Sequence, residues 1–528
     1  MSSCNPLYTD QRCKINVYIP PCPHTVGQGG VFLRRKMPIF YSALMLTGVN
    51  LLLRFAGTSF QVYISNRIGA AGVGLLQLVM SVGALAMVAG MAGVRTSTMY
   101  LTAEELGKKR PENVTWVLSG CFVYSIVCSA VFAAGLYLLA PYLAGHWIGD
   151  IRTVSAIRLY AAFLPVSCLC GVMTGYFTAA NRIGTLAAVE VAEQVISMAA
   201  TFLILNLWVG TDPARACQGV ILGSGVGACV TLILLYALRQ SERQETGLRI
   251  PVMGRLLRCA VPLAIADVTK AGISTTENLM VPKRLSLYPG EDTPLAAFGL
   301  VCGMVFPVMM FPAAILFALA ELLIPELARC AAAGSRERIR YLVRQSLHST
   351  MVYSFLICAV MIVLAEPLCL KLYGNADAGI QLARYAVMIP MLYCDAIIDA
   401  MTKGLGQQKA CVRYNIISSL LDVVLLFLLL PRYGMRGYYF SFLVTHGLNF
   451  LLSMRRLIWI TSVKLRFWQP LAAAAATVVA VLIASHLDAP LLSAASCVLI
   501  AGCGLFLLRV LSREDIRWVR GLVKGKHK

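Results

Sequence analysis

Between residues 39 and 510 the chain is a succession of apolar runs, each about as long as a bilayer is thick. A hydrocarbon core of about 30 Å takes roughly 20 apolar residues as a helix rising 1.5 Å per residue. The runs fall at 39–64, 70–94, 115–140, 156–180, 185–208, 216–238, 258–281, 296–324, 346–370, 382–402, 411–430, 437–459, 469–487 and 490–510. No soluble domain hides so many. In lipid every backbone N–H and C=O must pair within its own segment, so such runs fold as helices rather than open sheets. The expected fold is an all-α integral membrane protein of about fourteen transmembrane helices. Composition agrees: 58% of the residues are hydrophobic and 13% charged, well away from soluble averages.

The formal charge of +21 would suggest nucleic acid in a soluble protein. Here the cations lie in short loops. Of the 46 Lys and Arg, 34 fall in the N-terminal segment, the C-terminal tail and one alternating set of loops; 10 fall in the opposite set. By the positive-inside rule both termini are cytoplasmic, with no nucleic-acid partner implied. The opposite loops are short and leave no room for an extracytoplasmic catalytic domain. No G-x-x-x-x-G-K-[ST] is present, so the chain reads as a non-enzyme without a cofactor. Most of the 18 cysteines are scattered through apolar runs, where they read as small buried thiols. Residues 1–36 hold no long apolar run, and Cys4, Cys13, Cys22 and His24 match no zinc spacing. They read as a disordered extension, with Met37 the expected start.

A shift of 225 residues lays the chain on itself. Gly74-Leu75 falls on Gly299-Leu300, Leu139-Ala140 on Leu364-Ala365, Tyr160-Ala161 on Tyr385-Ala386 and Pro165 on Pro390. Runs two, three and four land on eight, nine and ten. An even number of spans separates the copies, so the repeat is parallel, about an axis along the membrane normal. The expected organisation is an N-lobe at 37–245, a C-lobe at 246–460, and two further helices with a basic tail at 461–528. Two six-helix lobes facing each other make a transporter architecture, with its site in the seam.

Two cations lie inside runs: Arg54 in the first and Lys270 in the seventh, so each lobe opens on a helix with a buried charge. Such a residue costs about 2.5 to 3.5 kcal/mol at mid-bilayer, so a cavity or partner is expected. On run seven Asp267, Lys270, Ser274 and Glu277 fall at i, i+3, i+7 and i+10, one helical face. Asp267 and Lys270 can neutralise one another instead. Arg54 has no acid one turn away and suits a bidentate grip on phosphate, or it snorkels to an interface. Glu277 with Asp395 is the candidate seat of a coupling Na⁺ or H⁺. Glu190, Glu193, Asp399, Asp422 and His446 are weaker candidates, the first three near helix ends beside Arg182 or Lys403. Proline at 165, 262, 307, 312 and 390 predicts bent helices.

Three stretches carry a resemblance. "NRIGAAGVGLLQ" (66–77) resembles the glycine-rich turn of the polysaccharide-exporter, stage V sporulation protein B-like branch of the multidrug/oligosaccharidyl-lipid/polysaccharide (MOP) flippase superfamily. Residues 164–195 are similar to that branch's pattern through Gly175-Tyr176 and Glu193-Gln194, departing from it at Thr174. "PAAILFALAELLIPELA" (312–328) matches a third segment. The resemblance implies a two-lobed, alternating-access carrier of undecaprenyl-linked saccharides from the inner to the outer leaflet of a bacterial cell membrane. A Na⁺- or H⁺-coupled multidrug antiporter of the same superfamily and a non-transporting membrane scaffold stay open as alternatives.

Overall fold

The computed structural model describes residues 39–108, 110–207, 212–240, 252–463, 468–487, 489–508 and 510. The N-terminal extension and the basic tail lie outside the described residues. The secondary structure described is entirely helical. In chain order the helices are α1 (Ile39–Met91), α2 (Val94–Gly107), α3 (Val114–Tyr142), α4 (Val154–Ala179), α5 (Ile183–Leu207) and α6 (Pro213–Gln240). They continue as α7 (Met253–Leu285), α8 (Pro294–Gly299), α9 (Phe306–Met310), α10 (Ala314–Ala332), α11 (Arg336–Tyr373) and α12 (Ala376–Ala386). The last are α13 (Ile389–Gly404), α14 (Gln408–Tyr433), α15 (Met435–Thr461), α16 (Trp468–Ala484) and α17 (Pro490–Leu507).

By length and composition seven described helical stretches can cross a bilayer, or nine with each bent pair counted as one span. The first of them, Leu51–Gly107, holds two of the apolar runs. The polar residues of α7 and α15 keep both out of that count, and α16 and α17 are shorter apolar helices. Among the described residues each apolar run is largely helical.

Glycine and proline set the breaks. Gly69 interrupts α1 with φ 68°, a backbone region that residues with a Cβ avoid. Pro312 follows α9, and the span from α8 to α10 bends by 63° there. Pro390 lies just past the junction of α12 and α13, which bends by 58°. Pro165 and Pro262 sit inside unbroken helices. A bent helix frees carbonyls that lipid cannot satisfy. Here side chains do so: Tyr353 Oη donates to Pro312 O at 2.8 Å and Tyr393 Oη to Met309 O at 2.7 Å. Tyr373 Oη donates to Met304 O at 3.2 Å in the π-helical turn joining α8 to α9.

Helices α1–α6 and α7–α15 form two groups that α1 joins, since it packs at least as extensively on α7 and α8 as on α3, α4 or α6; α16 and α17 lie on α11 through small residues such as Ala476, Ala480, Cys497 and Ala501. The groups meet where α1 crosses α8. A Cβ on Gly299 would stand 2.0 Å from the Ala70 carbonyl oxygen; a Cβ on Gly74 would stand 2.3 Å from that of Leu295. The 225-residue shift maps Ala70 onto Leu295 and Gly74 onto Gly299. Residue i touching j′ while j touches i′ is the mark of an isologous two-fold contact, so the repeat's axis passes between these helices.

Candidate functional site

The seam between the groups is closed along the second arm of α1 and α2, which run antiparallel to α7. Ser81 takes hydrogen bonds from Thr275 Oγ1 to its carbonyl (3.1 Å) and from Asn278 Nδ2 to its hydroxyl (3.0 Å). Gly93 packs against Ala260 and Leu263 so closely that a Cβ there would stand 2.6 Å from the Ala260 oxygen. Beyond it, Arg255 donates from Nη2 to Glu104 and from Nη1 to Glu105, both at 2.8 Å. Asn113 Nδ2 also reaches Glu105, at 3.1 Å. Charge-assisted, forked contacts of this kind are the stronger hydrogen bonds.

On the other side of the axis α1 faces α8–α10. Gln61 Nε2 donates to Gly303 O at 3.3 Å, the Phe55 and Phe311 rings lie 5.8 Å apart, and the Arg54 guanidinium sits 4.4 Å from the Phe317 ring centre. Arg54 lies fifteen residues from Ile39 and from Gly69, at mid-helix. That is about 22 Å from either end at 1.5 Å per residue. Lys270 is likewise at the middle of α7. Among the described residues neither cation pairs with an acid.

The α7 stripe opens outward. Asp267, Lys270 and Ser274 are exposed and Glu277 is half-buried. No residue from Val261 to Ser274 is fully buried, so mid-α7 is thinly packed. No ion pair joins Asp267 to Lys270, so the alternative of self-neutralisation is not realised among the described residues. Glu277 sits near α14, with Ser419 close by and within the field of Asp422. Asp422 in turn accepts from Ser441 Oγ at 2.6 Å and Thr445 Oγ1 at 3.3 Å, with His446 beside it. His446 stacks on Phe442 at 3.8 Å and has Nδ1 3.1 Å from the Phe442 carbonyl.

The acid whose field reaches Glu277 is Asp422, whereas the sequence reading set Glu277 with Asp395. Asp395 belongs to a neighbouring site between α13 and α15. Its Oδ2 accepts from Asn449 Nδ2 at 2.9 Å, while its Oδ1 and the Asn449 Oδ1 are buried with no hydrogen-bond partner. Ser419, Ser441, Thr445 and Asn449 escaped the sequence reading. Hydroxyls and amides are common in membrane helices, and only i, i+4 spacing of Ser441 with Thr445 hinted at a shared face. Asp399 pairs with Lys403 one turn on, at 2.5 Å, near a helix end. Glu190 and Glu193 are half-buried on α5, Glu190 within the field of Arg95.

Residues 40–280 match the family model described as "Polysaccharide biosynthesis protein", and residues 262–428 match MatE. Stage V sporulation protein B of Bacillus subtilis (strain 168) is 20% identical over 408 residues, 75% of this chain and 79% of that protein. Among solved structures, the lipid II flippase MurJ in its inward closed conformation superposes with TM-score 0.68 at 12% identity, covering 89% of this chain and 99% of that one. An inward-facing multidrug resistance MATE family transporter of the MOP superfamily gives TM-score 0.62 at 12% identity, over 80% of this chain and all of that one.

Proposed function

We propose that this multi-pass membrane protein, which has the fold of the MOP-superfamily transporters, is an alternating-access flippase for a lipid-linked, anionic saccharide. The observation that carries the reading is the pair of mid-helix cations, Arg54 and Lys270, one on the opening helix of each lobe and neither neutralised by an acid. A charge held at that depth needs a counter-charge from elsewhere. A pyrophosphate headgroup moving through the seam supplies one, gripped by the Arg54 fork and the Lys270 ammonium. The exposed Asp267 and Ser274 offer hydrogen bonds to sugar hydroxyls. Transport runs from the inner to the outer leaflet of a bacterial cell membrane, with both termini cytoplasmic.

The Glu277–Asp422 cluster is the proposed seat of a coupling cation. The two carboxylates, with Ser419, Ser441 and Thr445 nearby, offer oxygen ligands to a hard cation such as Na⁺, and either can carry a proton. Occupation there would alter the packing of α7 on α14 and so bias the lobes between two arrangements.

The decisive experiment is mass spectrometry of undecaprenyl-linked intermediates in cells depleted of the protein. Accumulation of one lipid-linked saccharide supports the flippase and identifies its cargo; an unchanged lipid pool overturns it. A cation-coupled multidrug antiporter is the second reading. It is favoured by the second-lobe carboxylates and opposed by Arg54, since cationic cargo wants acids in the cavity. Efflux of ethidium by reconstituted protein would select it. A scaffold without transport would tolerate neutral substitutions along the whole α7 stripe.

A further inference from the structure

We infer that a crevice between α3 and α4 is a phosphate site for a membrane lipid, distinct from the inter-lobe seam. The crevice has a volume of about 500 Å³ and is lined by Tyr137, Arg152, Ser155, Arg158, Leu159 and Ala162, among others. Only one of its two arginines is ion-paired. Asp150 Oδ1 accepts from the Arg152 backbone N (3.0 Å) and Nε (3.1 Å), and Oδ2 from Nη2 (2.8 Å). The same hydrogen bonds hold the Asp150 carboxyl below its usual range. Asp212, the other acid nearby, lies 3.9 Å from both Arg152 and Arg215.

Arg158 has no such partner. Its guanidinium lies 4.8 Å from the Tyr137 ring centre, and its Nε is buried with no acceptor. Among the described residues it makes no ion pair. It stands four residues into α4, about 6 Å below the helix end, which is headgroup depth for a spanning helix. Leu138, Leu139 and Ile151 beside the crevice are exposed, so its mouth is flanked by surface that a bilayer would cover. A planar fork of N–H donors above, an aromatic wall, and apolar Leu159 and Ala162 below suit a phosphate diester with acyl chains attached. A soluble anion would gain only from the upper half. The 225-residue shift places Ile362, Asp377 and Ala383 where Tyr137, Arg152 and Arg158 stand. The fold shared by the lobes therefore does not require this cation, and the first lobe alone carries it.

The test is thermal unfolding of the purified full chain in mild detergent with added phosphatidylglycerol, a neutral diglucosyl-diacylglycerol, or glycerol 1-phosphate. Phosphatidylglycerol should raise the midpoint by several degrees, and the other two should not. Arg158→Gln should weaken the apparent phosphatidylglycerol affinity at least tenfold, and Arg158→Lys by less. Equal stabilisation by the glycolipid, a full effect of glycerol 1-phosphate alone, or an unchanged response in Arg158→Gln would each overturn the site. Should Arg158→Gln not fold, Tyr137→Ala, on a more exposed face, must lose phosphatidylglycerol affinity several-fold; no loss would also refute it. Neither result bears on flipping through the seam.

Discussion

The first lobe meets the second through mirrored contacts at Gly74 and Gly299, yet the two are stocked with different chemistry. The second gathers Glu277, Asp422, Ser419, Ser441, Thr445 and His446 from three helices into one cluster, with Asp395 and Asn449 close by on α13 and α15. The first keeps its acids apart from such a cluster: Glu190 and Glu193 lie half-buried on α5, and Glu104 and Glu105 are committed to Arg255 across the seam. A repeat therefore conserves what close packing demands, because a Cβ at the axis strikes backbone that cannot yield. Polar residues away from the axis are free to diverge. On the proposed function this asymmetry is a division of labour, with the ion held in one lobe and the cargo gripped by both.

The sharpest way to break that division is Asp422→Asn. Removing one member of a buried, hydrogen-bonded charged cluster typically costs about 2–5 kcal/mol of binding. Transport should lose its dependence on Na⁺ or on a proton gradient in reconstituted vesicles. Glu193→Gln, in the other lobe, should leave that dependence intact. An Asp422→Asn protein still driven by the ion would refute the seat.

Next comes the cargo grip. Arg54→Gln and Lys270→Gln each remove charge-assisted contacts worth about 1.5–3 kcal/mol. The apparent affinity for an anionic lipid-linked substrate should fall by roughly ten- to a hundredfold, at tenfold per 1.4 kcal/mol. Folded yield in detergent should not change. Intact transport by both variants would remove the grip from the proposal.

The symmetry itself is tested by Gly74→Val and Gly299→Val. Overpacking costs about 1–3 kcal/mol, and reciprocal contacts predict similar losses of thermal stability for the two. A large loss in one alone would show that the axis lies elsewhere. The smallest effect belongs to Asp399→Asn. Its pair with Lys403 is partly exposed and of the i, i+4 kind, worth about 0.3–0.5 kcal/mol, so stability and transport should both stay near wild type.

The class was legible in the chain, because run length against bilayer thickness dictates membrane helices. The punctuation was legible only in part: the chain breaks at Pro312 and beside Pro390, while Pro165 and Pro262 carry the same missing N–H inside unbroken helices. The parallel repeat was legible as a constant shift of 225 residues, and Arg54 and Lys270 stood out because an ionised group in an apolar run is costly wherever it packs. Partnership was not legible. Helical periodicity places Glu277 on a face but says nothing of which helix lies opposite; packing brought Asp422 there from 145 residues away, and left Asp395 to Asn449. Likewise, i, i+3 spacing permits an Asp267–Lys270 pair that the folded chain does not make. Tertiary structure alone decided these, because a hydrogen bond depends on a few ångströms between helices, and that distance is set by the small residues at their crossings.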